Sequence, residues 1–311
     1  MGAPGQPGLS HLQLQDICNW SKGGAQPFST LTFRSNVPYM TNGQAPVDGI
    51  KPKRSLGQNF LVSQKDLSKI VSAADVKSSD TIVEIGPGTG LLTKLLIDRA
   101  QSVIAVEKDE NLVNFLEHKF RDTHNLKIIN CDVLEWDHSV IKQPYKVVAN
   151  LPYYAANPIV RRLLEYAHKP ESLVVTVQKE VAESMVATKG QMRTLSLAVQ
   201  LYCMPEIVGY IKPDSFRPRP KVMSAIVKML VYKEPLLQLN DPSQFFNLIR
   251  AGFTSARKQL PNSLSNNYDI PTHIVKTIMD NIGLNHKLRA QSLDLSDWEQ
   301  LYLAFRRNKI C

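Results

Sequence analysis

The 311-residue chain lacks any apolar run approaching the roughly 18 to 20 residues that a membrane-spanning helix requires, so a soluble protein with no membrane partner is expected. Cysteine is sparse as well. Cys18, Cys131, Cys203 and Cys311 lie far apart and form neither a C-x-x-C motif nor a Cys/His ligand pair. That argues against a zinc site or a disulfide framework and for a reducing, cytoplasmic setting. No metal is expected. Acidic residues are in deficit: 28 Asp and Glu stand against 37 Lys and Arg, a formal charge of +9 that favours a polyanionic partner through attraction and counterion release. No internal repeat is present.

A hydrophobic content of 43% over this length supports one large domain and a smaller one. Residues 1–50 are poor in apolar periodicity and rich in Gly, Pro, Gln, Ser and Asn, which reads as a flexible N-terminal extension. The stretch has no secretory core. Its Ser and Thr and few acidic residues would suit a mitochondrial or plastid transit peptide, its few Arg and Lys argue against one, and a start at Met40 is a third alternative.

The chain is organised around Thr81-Ile82-Val83-Glu84-Ile85-Gly86-Pro87-Gly88-Thr89-Gly90, a β-branched apolar run that closes on alternate glycines and opens into a helical pattern. Glycines let a backbone approach a ligand closely, and amides at a helix start attract an anionic group such as a carboxylate. A dinucleotide fingerprint would need glycine where Leu91 stands, so E-x-G-x-G-x-G fits either a nucleoside-cofactor loop or a structural strand-to-helix turn.

Further strands are predicted at Val103–Val106, Leu126–Asn130, Lys146–Ala149 and Leu173–Val177, with helices over Asn111–Phe120 and Pro158–Tyr166 between them. Alternating strands and helices imply a doubly wound parallel sheet, with ligands gathered at the strands' carboxyl ends. Gly86, Glu107, Asp132 and Asn150 all fall there. Glu107 follows the first glycine by about twenty positions, the spacing of a ribose-binding acid. Two late runs, Glu206–Ile211 and Ser224–Val231, would close the sheet as an antiparallel pair, and helical patterns near Pro242, Pro271 and Ser296 imply a small C-terminal helical domain. The expected boundaries are 1–50, 51–233 and 234–311.

Asn150-Leu151-Pro152-Tyr153 follows a predicted strand. Read blandly, it is a strand ending in a turn, since Asn and Pro are common there. Read as chemistry, it is a clamp for a planar amine. An Asn oxygen and a main-chain carbonyl accept from an exocyclic NH2, Pro stiffens the loop and an aromatic ring stacks on the base. Alignment and electrostatics would then carry most of the catalysis.

The order of Gln58-Asn59-Phe60-Leu61, the Glu84–Gly90 loop, Glu107-Lys108-Asp109, Cys131-Asp132-Val133, Asn150-Leu151-Pro152-Tyr153, Gln178-Lys179-Glu180-Val181 and Ser215-Phe216-Arg217-Pro218-Arg219-Pro220-Lys221-Val222 resembles the ribosomal RNA adenine dimethyltransferases, the KsgA family. The resemblance runs from about Lys51 to near Phe305. It implies an α/β, Rossmann-like class I methyltransferase sheet with a small C-terminal helical domain. It also implies S-adenosyl-L-methionine as cofactor, held by Gln58, Asn59, Leu61, Gly86, Gly88, Glu107, Lys108, Asp132, Val133 and Asn150. Within that set Glu107 would accept from the ribose hydroxyls and Asp132 from the cofactor's adenine amine. Taken singly, Glu107 is more often a solvated carboxylate and Asp132 a turn cap. Asn150, Leu151, Pro152, Tyr153 and Phe216 would form the catalytic clamp, with Phe216 closing on the base opposite Tyr153; core filling is the alternative for Phe216.

Lys53, Arg54, Arg217, Arg219, Lys221, Arg257 and Lys258 are candidate RNA-phosphate contacts; each alone is more often a solvated surface charge, and their clustering around the motif loops brings the two readings level. The resemblance implies a monomeric enzyme that dimethylates N6 of two adjacent adenosines in a hairpin loop near the 3′ end of small-subunit ribosomal RNA, presented in an immature subunit. Two departures stand out. Tyr154-Ala155-Ala156-Asn157-Pro158 replaces a polar Asn-Ile-Ser-Thr-Pro common in relatives, and Ser255-Ala256-Arg257-Lys258 has one Arg fewer than the usual cluster. Rival readings are the related large-subunit resistance methyltransferase, whose clamp more often reads Asn-Ile-Pro, a non-catalytic assembly or transcription factor on the same fold, and a DNA adenine methyltransferase.

Overall fold

The computed structural model describes residues 47–310; the expectations for residues 1–46, including Met40 and Cys18, and for Cys311 lie outside the described residues. A short strand β1 (Phe60–Leu61) precedes helix α1 (Gln64–Ala74), whose Leu67, Ile70, Val71 and Ala74 are buried at the i, i+3, i+4, i+7 spacing of one helix face. Ser63 caps α1 by accepting from the Asp66 amide. The glycine loop joins β2 (Thr81–Ile85) to α2 (Leu91–Ile97). Then come β3 (Ser102–Glu107), α3 (Glu110–Lys119), β4 (Leu126–Asn130), β5 (Lys146–Asn150), α4 (Ala156–Glu165) and β6 (Ser172–Gln178).

Strands β2 to β6 pair in parallel, in the order β4-β3-β2-β5-β6. Every residue of β2 is buried and only Gln178 of β6 is not, as a sheet covered on both faces demands. The register aligns the carboxyl ends. Ile85 stands opposite both Val106 and Ala149, Glu107 opposite Asn130, and Asn150 opposite Thr176. The order reverses at β2, which puts the glycine loop at the switch point where such sheets bind ligands.

The sheet is completed by β9 (Ser224–Val231) beside β6 and β7 (Cys203–Ile211) at the edge, while β8 (Phe216–Arg217) pairs antiparallel with β1. The remaining helices are α5 (Lys179–Met185), α6 (Thr194–Gln200), α7 (Pro242–Phe253), α8 (Leu260–Tyr268), α9 (Thr272–Asn281) and α10 (Leu295–Arg307). Helices α5, α6 and α8 have no counterpart in the sequence reading. Each is short, and α8, Leu260-Pro261-Asn262-Ser263-Leu264-Ser265-Asn266-Asn267-Tyr268, is dominated by residues that favour turns over helices.

The described chain forms two compact units, residues 47–179 with 208–228 and residues 180–207 with 229–310. The second unit thus includes residues 180–207, which the sequence reading assigns to the domain before residue 234. The reason is packing: Met192, Leu197 and Leu201 are buried in one core with Phe245, Ile249, Trp298 and Phe305. Cys203 is free and buried. No helix among the described residues is long and apolar enough to cross a membrane.

Trp298 is fully buried in the second unit's core, stacked near Phe253. Trp298→Ala is expected to cost about 3–5 kcal/mol, read as a lowered urea midpoint.

Candidate active site

Five segments of the first unit meet at the carboxyl edge of the sheet, and one buried carboxylate joins two of them. Glu107, the last residue of β3, is 7% exposed. Its Oε2 accepts from the Gly88 amide at 3.3 Å and its Oε1 from the Asp109 amide at 2.9 Å. Burial pushes its carboxyl above the ordinary range, against backbone N–H groups that favour the charged form. Each oxygen keeps a further lone pair for a ligand hydroxyl.

The glycines of the loop face different surroundings. Gly86 has φ +66° and a Cβ there would meet nothing within 4 Å, so the backbone borders open space on the side where a ligand would lie. Gly88 has φ +58°, and a Cβ would stand 2.9 Å from the Phe60 ring, so a side chain is excluded by both conformation and contact. Glycine at both positions therefore has a local physical cause.

Beside the loop, Glu84 is a carboxylate that the sequence reading did not place in the site. It is 1% exposed, its Oε2 has no hydrogen-bond partner among the described residues, and burial, reinforced by Glu107, pushes its pKa up to about 8. Its signal was an acid inside an otherwise apolar strand, a position that costs stability unless something compensates it.

Asp109 ties the segment before β1 to the sheet. Its carboxylate accepts from the Asn111 amide at the start of α3, from Lys53 Nζ at 2.6 Å and from Gln58 Nε2 at 3.0 Å. Burial would raise this carboxyl, but Lys53 and Gln58 outweigh it and hold it below the ordinary range. Gln58 is held at both ends, since its Oε1 accepts from the Lys53 amide at 2.7 Å. Lys53, a candidate phosphate contact, pairs with Asp109 and keeps its side chain 43% exposed. Arg54 lies in the 3-10 turn Arg54–Leu56, its side chain outside the described structure.

At the end of β4, Asp132 accepts from the Leu134 amide at 3.0 Å and from Lys108 Nζ at 2.6 Å. The turn-cap role and the proximity to Lys108 coexist in one side chain. Val133 is buried, and so is Leu61, whose side chain joins the core under β1.

The Asn150-Leu151-Pro152-Tyr153 segment lies at the end of β5. Asn150 Nδ2 donates to the Asn59 carbonyl at 3.1 Å. A carbonyl can only receive an N–H, so the amide orientation is decided and Asn150 Oδ1 is left as an acceptor. Leu151 is buried and its amide donates to Thr176 at 3.3 Å. Tyr153 is half-buried, with its hydroxyl 2.7 Å from Ser224 Oγ; Tyr154 is 47% exposed. Phe216 is not placed as the resemblance implied. It is 0% exposed, in the core with Leu61, Leu67, Ile211 and Ile226, because pairing of β8 with β1 turns it inward. Core filling, the alternative reading, is the one the structure supports.

Arg217, Arg219 and Lys221 are exposed in the first unit; Arg217 Nη1 donates to the Asp214 and Phe216 carbonyls and Arg219 pairs with Asp214 at 3.0 Å. Arg257 and Lys258 are exposed in the second unit.

The family model described as Ribosomal RNA adenine dimethylase matches residues 49–304. A protein of Dehalococcoides mccartyi named Ribosomal RNA small subunit methyltransferase A is 42% identical over 262 residues, covering 83% of this chain and 90% of its own. A protein of the same name from Alkaliphilus metalliredigens is 40% identical over 257 residues, covering 80% and 90%. Among solved structures, a dimethyladenosine transferase from Plasmodium falciparum superposes with a TM-score of 0.66 at 28% identity, over 80% of this chain and 98% of that one. The 23S rRNA methyltransferase ErmE superposes with a TM-score of 0.64 at 27% identity, over 79% and 99%.

The raised Glu84 pKa has a stability consequence with a definite sign. Between its unfolded value near 4.5 and its folded value of about 8, the folded state holds more protons than the unfolded state, so stability falls as pH rises through that window. Glu84→Gln removes the penalty. Urea denaturation is expected to show the variant more stable than wild type at pH 9, with the gap closing towards pH 5.

Proposed function

The chain belongs to the ribosomal RNA adenine dimethylase family, and from that premise we propose that it transfers methyl groups from S-adenosyl-L-methionine to the exocyclic N6 of adenine in ribosomal RNA. The substrate is two adjacent adenosines in the hairpin loop near the 3′ end of small-subunit RNA, each dimethylated, within an immature subunit during ribosome assembly. The names of the relatives at 40–42% identity favour the small subunit, while the large-subunit enzyme stands at 27%.

The observation that carries this reading is the orientation of Asn150. Its NH2 is engaged by the Asn59 carbonyl, so Oδ1 accepts one N–H of the target amine while the Leu151 carbonyl accepts the other. Two acceptors on one amine draw its hydrogens out of the ring plane and free the nitrogen lone pair for attack, and Tyr153 stacks on the base to fix its plane. Held by Asn150 and Leu151, the amine nitrogen would be aligned to accept a methyl from a sulfonium donor, with the amine proton lost to solvent. No side chain needs to form a covalent intermediate.

The residues present fit the cofactor. When bound, S-adenosyl-L-methionine supplies an electrophilic methyl on a sulfonium centre. Open space beside Gly86 admits it, Glu107 accepts from its ribose hydroxyls and Asp132 from its adenine amine, with Gln58, Asn59, Gly88, Lys108 and Val133 around them. Arg217, Arg219 and Lys221, with Arg257 and Lys258 in the second unit, contact RNA phosphates. The target base must leave its stack to reach Asn150, which is why a loop adenosine suits the site.

Incubation with labelled S-adenosyl-L-methionine and immature small subunits, large subunits or duplex DNA, followed by mapping of the modified base, is expected to place the label on the adjacent loop adenosines only. Absence of label from small subunits would refute the substrate assignment. Asn150→Ala should lower turnover by about 10²- to 10³-fold with the circular-dichroism spectrum unchanged. Glu107→Gln should weaken cofactor binding by roughly ten- to a hundredfold in calorimetry, and an unchanged affinity would count against the ribose contact.

A further inference from the structure

The family assignment leaves Ser224 without a role. It opens β9, directly after the exposed pair Val222 and Met223, yet it is itself 0% exposed. A buried hydroxyl needs a partner, and this one lies 2.7 Å from the Tyr153 hydroxyl, 71 residues away in sequence. Tyr153 sits in the loop after β5, where two hydrogen bonds hold the main chain: Leu151 N–H to Thr176 at 3.3 Å and Ala155 N–H to Pro152 at 3.0 Å. Neither of these constrains the ring. The torsion that sets the plane of a tyrosine ring is broad, so main-chain order alone leaves that plane free to move.

The partner end of the bond is itself anchored. The Met223 carbonyl accepts from the Lys179 amide at 2.9 Å, fastening the start of β9 to the residue that follows β6. Strand β6 lies beside β5 with Thr176 opposite Asn150. The connections form a closed circuit from Asn150 across to β6, through Lys179 and Met223 to Ser224, and back through Tyr153 to the clamp. A ring held at its hydroxyl by this circuit keeps a fixed relation to Asn150, three residues earlier in the chain.

We propose that Ser224 is a positioning residue, whose hydroxyl holds the Tyr153 ring in the plane that receives the target nucleobase beside Asn150. The proposal rests on the reading of Asn150 and Tyr153 as an adenine clamp. Stacking catalysis depends on alignment, and a displacement of about 1 Å can cost about a hundredfold in rate, so a tether of this kind contributes through geometry and not through proton transfer. It also gives the tyrosine hydroxyl a function that a phenylalanine ring at the same position could not perform.

The test is a double-mutant cycle on the full chain, with small-subunit RNA as substrate. Ser224→Ala and Tyr153→Phe each break the same bond from opposite ends. Each is expected to lower kcat by roughly ten- to a hundredfold with KM for S-adenosyl-L-methionine unchanged, and the double variant should lose no more than either single one. Independently of activity, protein labelled with ¹³Cζ-tyrosine should show the Tyr153 signal, assigned by its loss in Tyr153→Phe, shifted in Ser224→Ala. Losses that multiply in the double variant, wild-type turnover in Tyr153→Phe, or an unmoved Tyr153 signal would each overturn the proposal. Where Ser224→Ala fails to fold, Tyr153→Phe removes the bond without emptying the buried site and decides by its kcat alone. A wild-type enzyme that modifies no small-subunit RNA would overturn the functional reading instead, and the labelled signal still decides whether the tether exists.

Discussion

The carboxylate of Glu107 is the joint on which the rest of the site depends. It is buried at the end of β3, and its two oxygens take the amides of Gly88 and Asp109, one from the glycine loop and one from the start of α3. A buried carboxylate without donors would be a heavy cost. With them, it fixes the loop to the neighbouring strand and leaves lone pairs for a ligand. Asp109 extends the arrangement outward, because its own carboxylate gathers Lys53 and Gln58 from the segment before β1. Asn59 in that same segment presents the carbonyl that orients Asn150. The glycine loop, Glu107 and Asn150 are thus coupled through side chains.

Charge is distributed with a purpose that the net value of +9 conceals. The interior of the carboxyl edge is acidic: Glu84 and Glu107 lie together under the glycine loop, and the proximity of Glu107 is one of the causes that raise the Glu84 pKa. The exposed chain around Arg217, Arg219 and Lys221 is basic. Carboxyl oxygens in that interior suit a ligand bearing hydroxyls and an amine. A basic exterior suits a polyanion.

The parallel sheet was legible because buried strands in such a sheet are short continuous β-branched runs. Leu126–Asn130 and Ser224–Val231 have the bounds expected, and Lys146–Asn150 differs by one residue. Short helices were not legible. Lys179–Met185 and Thr194–Gln200 are seven residues each, too short to show an amphipathic period, and Leu197 of the second is buried in the core with Phe245 and Trp298. Phe216 shows the same limit at a single residue. Its basic, proline-rich neighbours imply exposure, but the pairing of β8 with β1 sends its ring into the core.

By itself the sequence determined the strand–glycine loop–helix unit, the acid at the end of the next strand and the placing of Asn-Leu-Pro-Tyr at a strand's end, because each is written in nearby residues whose backbone preferences and spacing are local. Tertiary structure alone decided which side chains meet across long stretches of chain. It joined Asn59 to Asn150 over 91 positions and Tyr153 to Ser224 over 71, gave Lys53 to Asp109 and buried Phe216. Hydrogen bonds and packing act over a few ångströms, and only the folded sheet brings such distant residues within that reach.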